Sequence, residues 1–121
     1  MPPKDQVSPR DLTPLSPAVF HILLSLGEGD RHGYAIRREV ALRTGGKLRL
    51  GPGVLYGSIA RMLELGLIEE SGDRPDAHLD DERRRYYRIT LLGRRVVQAE
   101  AARMRELVEL PPSRFGVPRH A

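Results

Sequence analysis

Apolar positions along the chain recur at helical spacing in four blocks, and two short β-prone stretches lie between the third and the fourth. Ser16-Pro17 opens the first block, a hydroxyl N-cap followed by proline at the first helical position, where no N–H is needed. Val19, Phe20, Ile22, Leu23, Leu24 and Leu26 make this helix apolar round most of its girth, which places it at the centre of a core. Gly27 and Gly29 end it. A second helix is predicted over residues 32–43, with Tyr34, Ile36, Val40 and Leu42 inward and Arg37, Arg38 and Arg43 outward. Gly45-Gly46 closes it, and the piece KLRL, residues 47–50, reads as a short strand.

The third block, residues 52–65, begins in GPGVLYGS. Leu55, Ile59, Met62, Leu63 and Gly66 share one arc at 3.6 residues per turn, so that arc faces inward. Gly66 ends the helix and LIEE begins a strand. The polar stretch SGDRPDAHLDDER has no periodicity, and residues 84–89 read as the return strand of a hairpin with a long loop. Thr90 caps a long last helix over residues 91–110, stopped by Pro111-Pro112. The order is helix, helix, short strand, helix, strand, loop, strand, long helix. That is a mainly α chain with a small β-hairpin, the winged form of the helix-turn-helix, followed by one long C-terminal helix. The expected organisation is a flexible arm at 1–14, the winged domain at 15–90, a dimerisation helix at 91–110 and a loose tail at 111–121.

With 121 residues the chain suits one domain with a modest core. It has no cysteine, which excludes disulfides and thiolate metal sites and fits a reducing cytoplasm. No apolar run approaches the roughly 20 residues of a membrane span, and MPPKDQVSPRD has no apolar signal region, so a cytoplasmic protein is expected. Net charge is +4, but its distribution says more. Residues 31–66 carry seven Arg or Lys against two Glu, and residues 83–105 carry eight Arg against one Glu. Between them, residues 69–82 carry seven acids against one Arg. Two basic blocks flank an acidic loop, and such asymmetry favours a polyanionic partner, double-stranded DNA first.

Three constellations give that partner a geometry. With its core arc inward, the third helix turns Gly53, Gly57, Ala60, Arg61 and Glu64 outward, with Val54 and Ser58 on one flank and Tyr56 on the other. Small residues there let a backbone approach a major groove closely, and the first-turn N–H groups suit a phosphate. An ordinary amphipathic helix with a Gly-Pro-Gly start has the same pattern; the tri-helical order and the basic flanks favour the reader. Arg83, Arg84 and Arg85 stand where a wing meets the DNA backbone, whereas the acids of the loop oppose phosphate, so only the base of the wing should touch DNA. In the last helix Val97, Ala101, Met104 and Val108 repeat at spacings of 4, 3 and 4, a short dimerisation seam widened by Leu92, Val96, Leu107 and Leu110. A helix that folds back on its own domain is the alternative, and one girth can serve both. His21, His32, His78 and His120 lack paired metal-ligand spacing, and neither a catalytic motif nor a phosphate-binding P-loop is present. No enzyme, metal or cofactor is expected.

HGYAI at 32–36, GPGVLYGSIARMLELGLIEE at 51–70 and RRRYYRITLLGRR at 83–95 together resemble the PadR family of bacterial transcriptional regulators. In that family a His-Gly-Tyr opens the second helix, a Pro-Gly-Thr-Leu-Tyr type start opens the recognition helix, and a basic Tyr-Tyr strand leads into the last helix. The resemblance covers about residues 15–110 and, with one terminal helix, points to the short subfamily. It implies a homodimeric winged-helix repressor on a pseudo-palindromic operator, released by a small ligand or other signal. It assigns Pro52, Gly53, Val54 and Tyr56 to the start of the recognition helix, His32 and Tyr34 to a phosphate contact or packing role, and Arg84, Arg85, Tyr86 and Tyr87 to the wing strand. Val54 replaces the usual Thr, Gly57 stands where a larger polar side chain is common, and the acidic wing loop is unusual. Without tryptophan, the chain lacks the means to stack an aromatic drug between tryptophans at a dimer centre. Two other functions share the fold: a winged-helix module that docks a protein through its acidic loop with only nonspecific DNA affinity, and a carrier enclosing an apolar ligand.

Overall fold

Side-chain caps start three of the four helices. Ser16 Oγ accepts the Val19 N–H, His32 Nδ1 accepts the Ala35 N–H, and Thr90 Oγ1 accepts the Gly93 N–H, each at 3.0–3.1 Å. Each cap satisfies one of the orphan donors of a first turn. The computed structural model describes residues 7–73 and 85–116. Its elements are α1 (Pro17–Leu26), β1 (Arg31–His32), α2 (Gly33–Arg43), α3 (Pro52–Leu65), β2 (Ile68–Asp73), β3 (Arg85–Ile89) and α4 (Leu91–Val108), with short 3-10 turns at Pro9–Leu12 and Pro112–Phe115. The three strands form one antiparallel sheet in the order β1-β3-β2. This is the winged helix-turn-helix that the sequence predicts.

One core serves the four helices and the two hairpin strands. Ile22, Leu23 and Leu26 of α1 meet Ile36 and Val40 of α2 and Leu55, Ile59 and Met62 of α3. Tyr87 and Ile89 of β3 and Val96 of α4 close it, and burial of each such side chain stabilises the fold by about 1.5–3 kcal/mol. Gly66 terminates α3 at φ 77°, a left-handed value that glycine adopts without strain. The Leu67 N–H then reaches back to the Met62 carbonyl at 2.9 Å, and Thr90 Oγ1 donates to the Gly66 carbonyl at 2.6 Å. The end of α3, the base of the hairpin and the start of α4 are thus tied at one point, which sets where the wing stands relative to α3.

Four expectations are corrected. The small strand is Arg31–His32 and not KLRL; Arg31 pairs with Tyr87 and His32 with Tyr86. Leu48 and Leu50 alternate inward as a strand would, but Thr44 Oγ1 accepts the Leu48 N–H at 3.0 Å and holds the segment to the end of α2. Tyr34 and Leu42 lie outward, 53% and 68% exposed, because the inner arc of α2 is filled by Gly33, Ile36 and Val40. Part of the proposed arm is ordered: Pro9–Leu12 forms a 3-10 turn against α4, with Leu12 and Leu15 on the core. Finally, α4 ends at Val108, with Glu109 as its C-cap.

Glu100, which the charge pattern gave no reason to single out, is fully buried. Its carboxylate accepts from Arg103 Nε and from the Leu15 N–H, so it fastens the N-terminal segment to α4. The Arg103 hydrogen bond holds its pKa below the ordinary value, against the opposing effect of burial; the Leu15 N–H and the guanidinium charge add to the lowering.

Candidate nucleic-acid interface

The outer face of α3 is built from what its residues lack. Pro52 supplies no N–H, the N-cap Gly51 supplies no side-chain acceptor, and the first turn carries no acid. The N–H groups of Gly53 and Val54 therefore face outward without an intrahelical partner, at the positive end of the helix dipole. Gly53 and Gly57 are exposed with open space where a Cβ would stand, Val54 is 54% exposed, and Ala60 is exposed beside them. Ser58 is half-buried on the flank. Arg61 is the one long cationic side chain on this face, and it pairs with the exposed Glu64 one turn on, at 3.3 Å. A surface this low and this short of charge admits the edge of a nucleic-acid groove close to the helix backbone.

Tyr56 does not stand on this face. It is half-buried against the core, and a Cβ on Gly33 would lie 2.8 Å from its hydroxyl and 3.0 Å from its ring. Gly33 lets α2 and α3 approach through this ring, so Tyr56 sets the angle between the two helices. His32 likewise has a structural task. Besides capping α2, its ring lies 6.4 Å from that of Tyr34 in a stacked arrangement, and 5.3 Å from that of Tyr86 edge-on. The His-Gly-Tyr and Tyr-Tyr motifs therefore form one joint between the start of α2 and the wing strand. Tyr34 itself is 53% exposed.

On the wing, Arg85 is exposed at the start of β3, in register with Asp73, and Arg88 pairs with Glu69 across the strands at 3.4 Å. Arg83 and Arg84, the acids Asp76, Asp80, Asp81 and Glu82, and His78 and His120 lie outside the described residues. The seam of α4 divides. Val97 packs on the core and Ala101 is half-buried, whereas Met104, Leu107 and Val108 are 37%, 51% and 80% exposed. The first half of the helix serves its own domain, and the second leaves an apolar strip uncovered. A further basic group joins these faces: Arg37 and Arg38 on α2 and Arg49 in the lead-in to α3 line a groove with Tyr34 and Ala41. The outward positions of Arg37 and Arg38 were readable from the helical period, but the fold alone brings Arg49 to them. Among the described residues no helix is long and apolar enough to cross a membrane, and no three His, Asp or Glu converge as a metal site.

Comparisons with known proteins agree with this fold. Residues 22–99 match the model of the "Transcriptional regulator PadR-like family". An uncharacterized 37.1 kDa protein in transposon TN4556 of Streptomyces fradiae is 36% identical over 89 residues, 71% of this chain, although the match spans only 22% of that relative. A transcriptional regulator from Clostridium thermocellum has a similar structure at TM-score 0.64 and 26% identity, over 77% of this chain and 84% of that one. A PadR family transcription regulator from Clostridium difficile R20291 shares the fold at TM-score 0.64 and 22% identity, over 78% of this chain and 94% of that one. The chain belongs to the PadR-like family of transcriptional regulators, a family of DNA-binding winged-helix proteins.

Proposed function

We propose that the chain is a sequence-specific repressor that binds a pseudo-palindromic operator as a homodimer. The observation that carries the proposal is the bare, uncapped N-terminal face of α3. In this account Gly53, Gly57 and Val54 let the helix lie deep in the major groove, Pro52 fixes its entry, and Ser58 and Arg61 reach base edges or the adjacent phosphates. Arg83, Arg84 and Arg85 hold the backbone beside it, and His32 and Tyr34 set the start of α2 against the same strand. With so few side chains to name bases, DNA shape carries a large share of the specificity.

Dimerisation would use Met104, Leu107 and Val108 as the exposed seam, with Val97 and Ala101 at its inner end. Two readers joined there address half-sites about one helical turn apart, 34–36 Å on B-DNA. Bound across a promoter, such a dimer excludes polymerase; release by a small ligand or other signal follows from the family resemblance. Footprinting on DNA from upstream of the gene, paired with sedimentation, tests this. The parent should sediment as a dimer and protect a two-fold symmetric site. Met104→Lys should sediment at half the mass and lose that protection. A parent that protects no symmetric site, or a variant that remains a dimer, contradicts the proposal.

A further inference from the structure

The arginines around α2 divide into two groups. Arg31 pairs with Glu28 at 3.6 Å and donates to the Ser25 carbonyl at 2.8 Å. Arg43 pairs with Glu28 at 3.0 Å and with Glu39 at 3.4 Å. Arg37, Arg38 and Arg49 are exposed, and among the described residues they make no ion pair. All three line one groove of about 290 Å³, walled by Tyr34 and Ala41. Tyr34 and Arg38 continue into the neighbouring cleft, whose one acid, Glu39, is already engaged by Arg43. Three like charges on one small surface repel each other and contribute nothing to folding.

Charge and position together name an occupant. Three of the five residues that line the groove are arginines and none is an acid, a local charge that suits a polyanion. A row of phosphates needs several cations spaced along a shallow channel. The groove also adjoins the proposed reading face: Arg49 lies two residues before Gly51, the N-cap of α3. We propose that Arg37, Arg38 and Arg49 form a phosphate clamp on α2, gripping the DNA strand that borders the groove entered by α3. The clamp rests on the DNA-binding role proposed above, and it adds three contacts outside the reading helix and the wing. It supplies affinity for any duplex and leaves sequence preference to α3.

The test replaces all three residues in the full chain, as Arg37→Gln/Arg38→Gln/Arg49→Gln, with Arg37→Lys/Arg38→Lys/Arg49→Lys as the charge-preserving control. Binding to an operator duplex and to a random duplex of equal length is titrated between about 50 and 200 mM salt. Each lost phosphate contact removes about 0.9 from the slope of log K against log salt. The Gln variant should lose about 2–3 from the slope on both duplexes, keep the parent's operator-to-random ratio, and melt no lower than the parent. The Lys variant should recover the slope. A Gln variant with the parent's slope on both duplexes overturns the clamp, and so does a Lys variant that fails to recover it. Failure of the recognition role is separately visible, as a parent with equal affinity for operator and random DNA; loss of slope on the random duplex supports the clamp even then.

Discussion

The two helices of the helix-turn-helix present opposite surfaces. The outside of α2 carries Tyr34, Arg37, Arg38 and Leu42; that of α3 carries Gly53, Val54, Gly57 and Ala60, with Arg61 already held by Glu64. They meet in the shared core, and the Tyr56 ring lies close over Gly33 between them. The difference teaches that holding a duplex and reading it need not use the same helix. Guanidinium groups attract every sequence equally, whereas close approach of a bare backbone rewards only those sequences whose groove fits. On the proposed function, α2 supplies affinity and α3 supplies discrimination.

Breaking the bare face has the largest expected effect. A Cβ at residue 57 would meet no atom within 4 Å in the free protein, and Gly57→Leu replaces a poor helix former on this exposed face. Stability should rise by about 0.5–1 kcal/mol while operator affinity falls roughly hundredfold, since the new side chain occupies the space assigned to the groove edge. Thermal melts and anisotropy on the same sample check both signs, and unchanged affinity would remove α3 from the groove. The clamp variants come next, because they lower affinity for both duplexes and spare discrimination.

A change remote from both faces sharpens the contrast by leaving it intact. Glu100→Gln removes the charged hydrogen bond to Arg103, and stability at neutral pH should drop by about 1 kcal/mol, discounted because Arg103 is partly exposed to solvent. The carboxylate's pKa is lowered on folding, so its contribution is present above the ordinary value of 4.5 and is lost as pH falls through the depressed one. The parent should therefore lose stability through that acid range more steeply than the Gln variant does. Denaturant midpoints across the range would show it, with the operator-to-random ratio unchanged at neutral pH. Parallel acid limbs would deny Glu100 this role.

How much of this was legible in the sequence follows the physics of each feature. The helix at Pro52–Leu65 was readable in the sequence, because a proline start, a 3.6-residue apolar arc and a glycine stop agree. The strand at KLRL was not, since alternation in four residues looks alike whether the partner is a neighbouring strand or a threonine hydroxyl. The two-residue strand Arg31–His32 has no pattern of its own; it exists because β3 lies beside it. Tyr56 fell on a flank by helical geometry, and only the absent side chain at residue 33 turns it inward. Glu100 reads as surface charge until the N-terminal segment is laid over it. Local signals carried the helices, and contacts distant in sequence decided what the helices present.

The central claim, that α3 reads sequence, is tested most directly by measuring operator and random-duplex affinities side by side for the parent and for Arg61→Ala. The parent should favour the operator by about a thousandfold or more at physiological salt. In Arg61→Ala the operator affinity should fall by about 1–3 kcal/mol, well beyond any loss on random DNA. A parent without preference, or a variant that loses equally on both duplexes, would contradict it.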